Sequence, residues 1–177
     1  MNESLFGSPI TAEDNKIVSQ LKKDGVLLKF VLDEVRGKAK NGGVAFVCSD
    51  GDIDASLYHR QISHRPHEIK LFGGPLLLAP SYKGFDEVFA KFILANMKSG
   101  MMHKRTRYSH LYFHSPCGMA YDLYGYSIPE IISLAREAKD FMLEDSFFLP
   151  EKIDLYFHVK RINKAESMEQ NSYLLAA

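Results

Sequence analysis

Two cysteines and one histidine are the side chains best suited to chemistry. The run His114-Ser-Pro-Cys117-Gly118 spaces an imidazole and a thiol by two residues, and Cys48 opens the run Cys48-Ser-Asp-Gly-Asp52 far upstream. Three residues on a tight turn bring a ring nitrogen and a thiolate to one ion, at about 2.0 and 2.3 Å for zinc. If Cys48 leaves a neighbouring strand, Cys48, His114 and Cys117 make a site of two thiolates and one imidazole that needs a fourth ligand. The chain has only two cysteines, so it is no disulfide scaffold. The plainer alternatives are a single bridge, two buried thiols, and a histidine bonded to a backbone carbonyl. His59, His64 and His67, with Arg60 and Arg65 among them, read as surface histidines rather than a second metal site.

Those side chains need elements to position them. Gly43-Val-Ala-Phe-Val-Cys-Ser49 is an apolar run between turn signals, the pattern of a buried parallel strand. The polar loop Asp50-Gly-Asp-Ile-Asp54 leaves its carboxyl end. Glu68 to Phe72 reads as a second strand, closed by Gly73-Gly74-Pro75, a tight turn with backbone donors. Tyr108 to His114 is a third strand. By period two, His110 and Tyr112 share the face of His114 and read as core or supporting groups.

Helices fill the intervals. Thr11 with Asp14 starts one, and Val26 to Val35 continues as a second after a break at Asp24-Gly25. Phe85, Val88, Phe89, Phe92 and Ile93 recur at helical spacing, so residues 83–101 form a helix whose stripe belongs in the core. Ser127 and Glu130 make a capping box for a helix running to about Asp145. Ile153 to Lys160 alternates with period two, as in a half-buried edge strand. The tail after Lys164 shows weak periodicity, loose or packed on a neighbour. The expected architecture is α/β, one domain over residues 1–177, with an amino-terminal helical arm at about 11–37 and a core at about 42–162. Its sheet is mostly parallel, of about four to five strands flanked by helices. Sites in such sheets gather beyond the carboxyl ends of strands, where both cysteines fall.

Composition narrows the function classes. The 177 residues are 46% hydrophobic and 25% charged, and 22 Lys plus Arg balance 22 Asp plus Glu. A zero net charge leaves no electrostatic footprint for nucleic acid, and the basic run His103 to Arg107 reads as a solvated connector. No apolar run approaches the roughly 20 residues that span a bilayer, and Met1 to Ile10 lacks the pattern of a secretory signal. The expectation is a cytoplasmic protein without membrane or nucleic-acid partners.

The two motifs together carry a resemblance. Cys48-Ser-Asp-Gly-Asp52 resembles the Cys-x-Asp-x-Arg motif of the β-class carbonic anhydrases, and His114-Ser-Pro-Cys117-Gly118 resembles their His-x-x-Cys-Gly motif. Order and strand placement agree over roughly Gly42 to Gly125. The resemblance implies a β-carbonic-anhydrase-like fold, Zn2+ held by Cys48, His114 and Cys117, and reversible hydration of CO2 to bicarbonate. It makes Asp50 either the catalytic aspartate that orients a zinc-bound hydroxide or the fourth metal ligand. It also implies a homodimer or higher homo-oligomer, paired through amino-terminal helices and sheet edges. The pattern departs at Asp52, where the family has an arginine that holds the aspartate off the metal. Without that bidentate partner Asp50 is expected to swing toward the ion and close the site. Arg60 and Arg65 are the candidates to replace it. A closed site of two cysteines, one histidine and one aspartate, structural or small-ligand-binding, is the competing expectation.

Overall fold

The computed structural model describes residues 10–29, 42–49, 66–162 and 168–176. Six strands form one sheet: β1 (Leu27–Lys29), β2 (Val44–Cys48), β3 (His67–Leu71), β4 (Ser109–Ser115), β5 (Ile153–Ile162) and β6 (Met168–Leu175). Their order across the sheet is β1-β6-β5-β4-β2-β3. The four strands β3, β2, β4 and β5 run parallel from one edge, and β6 and then β1 extend the β5 side through antiparallel pairings. The sheet is therefore mixed and wider than the sequence predicts. The two added strands come from the short segment after Gly25 and from the weakly periodic tail.

Among the described residues three α-helices accompany it: α1 (Ala12–Lys23), α2 (Glu87–Lys104) and α3 (Ile128–Leu143). Local chemistry starts each one. Thr11 and Asp14 form a reciprocal capping box for α1, and Ser127 with Glu130 does the same for α3. Asp86 caps α2, its carboxylate accepting from the Phe89 N–H at 2.8 Å. Gly25, at φ +72°, turns the chain after α1. Beyond it Leu27 to Lys29 is a strand paired with β6, where a second helix is expected from Val26 onward; residues 30–41 lie outside the described set. Three-residue pairing to a sheet edge overrides the local helical pattern here.

One main core joins the helices to the sheet face of Val44, Phe46, Leu111, Phe113, Leu155 and Phe157. The opposite face is a ladder of rings. Tyr112 stacks on Tyr156 with centroids 4.7 Å apart and on His158 at 5.2 Å, both nearly parallel. His158 Nδ1 lies 2.6 Å from the Ser172 hydroxyl, and His110 Nδ1 lies 3.3 Å from an Asp154 oxygen. His110 and Tyr112 are buried, as their period-two placement predicts.

β5 sits between β4 and β6, not at an edge, and residues 155–159 are all buried. Its polar half looks solvent-facing in sequence because Tyr156 and His158 carry polar tips, yet both are consumed by stacking and hydrogen bonding inside the sheet. The stripe on α2 also divides. Ile93 is buried and Phe85 half-buried, but Val88, Phe89 and Phe92 are 81%, 41% and 63% exposed. The core side of α2 is instead Ala90, Ile93, Leu94, Met97, Gly100 and Met101.

Candidate metal centre

The parallel strands run β3-β2-β4-β5, so the chain steps outward from β2 to β3 and then returns across it to β4. The carboxyl ends of strands at such a reversal, here β2 and β4, are the usual place for a ligand in sheets of this kind. Cys48 is the last residue of β2, His114 the penultimate residue of β4, and Cys117 follows the turn.

Cys48, His114 and Cys117 converge there, with their ligand atoms all within 4.8 Å of one another. All three are buried, at 5%, 7% and 1% exposure. Tetrahedral zinc with ligands at 2.0–2.3 Å separates its donors by roughly 3.3–3.8 Å, so small side-chain rotations close this trio on an ion. Among the described residues it is the one His, Cys, Asp and Glu group so arranged. The cysteines carry thiols, not a disulfide.

The surroundings hold this geometry from the backbone upward. Val44 to Val47 are paired in register with β3 on one side and with Ser109 to Tyr112 of β4 on the other. The Ser49 N–H donates to the Leu71 carbonyl at 2.9 Å, continuing the β3 pairing past Cys48. Gly74, at φ +52°, lies against the same strand end: a Cβ there would sit 2.5 Å from the Cys48 nitrogen and 2.7 Å from its Cα. The Gly73-Gly74 turn therefore serves close packing under the cysteine. On the other ligand arm, the Ser115–Pro116 bond is cis, and the Cys117 carbonyl accepts from the Tyr121 N–H at 2.7 Å at the start of a short π-helical turn, Gly118–Leu123.

Electrostatics fit a cation. A hydrogen bond with Cys48 and burial push the Cys117 thiol well above the ordinary range, while His114 pulls it down. Two thiols and an imidazole gathered out of water gain most when a divalent ion takes up the charge of the thiolates. The donor set of soft sulfur and borderline nitrogen suits a thiophilic transition-metal ion.

Sequence reasoning overlooks Tyr82. It is buried, and its hydroxyl finds no hydrogen-bond partner among the described residues. Burial first, and then the neighbouring Cys117 thiol, raise its pKa far above the phenol range. Its signal in sequence is faint, a tyrosine in a Pro-Ser-Tyr-Lys-Gly turn.

Asp50, expected as catalytic group or fourth ligand, lies outside the described residues, as do Asp52, Arg60, Arg65, His59 and His64. His67 is exposed at the start of β3, where its ring packs by Gly100 rather than at the cluster. No described helix is long and apolar enough to cross a membrane. No family model matches the chain, and no curated protein matches its sequence.

Proposed function

We propose that this chain is a zinc protein in which Cys48, His114 and Cys117 supply three ligands, and that its site hydrates CO2 reversibly to bicarbonate. The observation that carries the metal assignment is the convergence of one imidazole and two thiols, all buried, within 4.8 Å at the strand-order reversal. The activity rests on the resemblance of the two motifs to those of the β-class carbonic anhydrases.

Zinc with three protein ligands and an open fourth position lowers the pKa of coordinated water to about 7, which makes a nucleophile at neutral pH. The residues of this chain would then do three things. Cys48 and Cys117 would hold the ion and moderate its charge, His114 would supply the third ligand, and the Asp50 carboxylate would accept a hydrogen bond from the nucleophile and orient it toward the carbon of CO2. Both cysteines belong to the main apolar core, a setting that would suit an uncharged substrate better than a charged one.

Asp52 favours a second reading, a site closed by Asp50. A carboxylate beside Asp50 where the family has a guanidinium leaves Asp50 free to ligate the ion. Stopped-flow CO2 hydration by zinc-loaded protein, near pH 7 and again in mild alkali, separates the two. Turnover above buffer that is lost in Cys117→Ser supports the enzyme. A rate equal to buffer at both pH values, with one zinc bound per chain, leaves the closed site. Restoring the family residue with Asp52→Arg is expected to raise the rate by drawing Asp50 away from the metal.

A further inference from the structure

Helix α2 has two apolar faces, and only one is used. At 100° per residue, Val88 and Phe92 lie roughly 140–180° around the helix from Met97, which is fully buried in the core. The outer face nonetheless carries Val88, Phe92, Ala95, Ser99 and Met102, with exposures of 81%, 63% and 64% at the three large residues, and the exposed Glu87–Lys91 ion pair, 2.6 Å apart, flanks that stripe on one side. A helix packed on a domain surface ordinarily turns charge to solvent on that side. Phe89 and Phe92 stack with centroids 6.3 Å apart and planes 16° apart, which fixes an apolar ridge on the outside.

We propose that this face is where two copies of the chain associate, with their α2 helices antiparallel about a twofold axis near Ala95 and Asn96. Two features of α2 select a second copy as the occupant. The stripe is self-complementary when reversed: Phe92 then lies over the small Ser99, Val88 meets Met102, and Ala95 meets its own copy at the axis, where small side chains permit close approach. The helix is also polar in charge. Asp86 and Glu87 stand at its start, and His103, Lys104 and Arg105 at its end. Antiparallel pairing sets each acidic end against the partner's basic end, and a parallel pair would set like against like. An isologous contact of this kind makes a closed dimer. It is distinct from the amino-terminal arm and sheet edges to which the resemblance points, and it does not depend on what the metal site does.

Sedimentation and light scattering on the full zinc-loaded chain at tens of micromolar are the test. The expected mass is twice the 20.1 kDa of one chain, falling to one chain in Phe92→Glu with unchanged circular dichroism. Mild copper–phenanthroline oxidation gives the orientation. Ala95→Cys should cross-link to itself, whereas Val88→Cys should link only to Met102→Cys on the other copy. A monomeric wild type, a dimer that survives Phe92→Glu, or a Val88→Cys that links to itself would each overturn the proposal. The cross-linking pattern decides the matter alone if Phe92→Glu does not fold.

Discussion

At the scale of single residues, the thiols set the terms of metal binding. Cys117 holds its proton well above neutral pH because Cys48 and burial both disfavour the thiolate. Zinc must expel that proton, so affinity should climb with pH by at least about tenfold per unit across roughly pH 6 to 8. Competition with a chromophoric chelator measures this directly, and a flat profile would mean that Cys117 is not a ligand. Cys48→Ser and Cys117→Ser should each lower zinc affinity by more than about a hundredfold, since hydroxyl oxygen is a poor replacement for thiolate sulfur at this ion. Gly74 makes a different point. Alanine there would drive a Cβ to 2.5 Å from the Cys48 nitrogen in a left-handed backbone conformation. Gly74→Ala should cost about 1–3 kcal/mol of stability and weaken zinc binding with it, read by denaturant unfolding and by metal competition.

At the scale of elements, the pattern of the chain was legible where one force dominated. The buried run before Cys48, the capping pairs Thr11–Asp14 and Ser127–Glu130, and the order of strands and helices through the centre all follow from local rules. Ser127→Ala tests one of them: loss of the cap should cost about 1 kcal/mol and lower Tm by roughly 2–4 °C, with zinc content unchanged. The misses share a cause, which is that burial depends on partners the sequence does not display. β5 reads as an edge strand because Tyr156 and His158 count as polar, yet Tyr112 and Ser172 across the sheet bury them. The tail has no clear period, yet it pairs antiparallel with β5 from Tyr156 through Ile162. Val88 and Phe92 read as core because hydrophobicity alone cannot say which of two apolar faces meets the sheet. The convergence of Cys48, His114 and Cys117 was more legible than the sheet, while Asp50 lies outside the described residues. A fixed His-x-x-Cys spacing and a cysteine at a strand end need only adjacency of β2 and β4 to converge, and that adjacency is present from Val44 to Val47.

At the scale of the whole molecule, the cluster ties the ends of two central strands that are distant in sequence. A metal there binds the folded chain alone, so its binding energy adds to stability. Free zinc at a hundred times its dissociation constant should contribute about 2.7 kcal/mol, or roughly 5–10 °C in Tm, and a chelator should remove it reversibly. Two sulfurs and one ring nitrogen of this chain are proposed to grip a single divalent ion. X-ray absorption at the zinc edge, on protein shown by elemental analysis to carry one zinc per chain, tests it most directly. The prediction is a first shell of two sulfurs at about 2.3 Å and two lighter atoms at about 2.0–2.1 Å. Protein that purifies without stoichiometric zinc and refuses it on addition, or zinc surrounded only by oxygen and nitrogen, would contradict a cysteine–histidine metal centre.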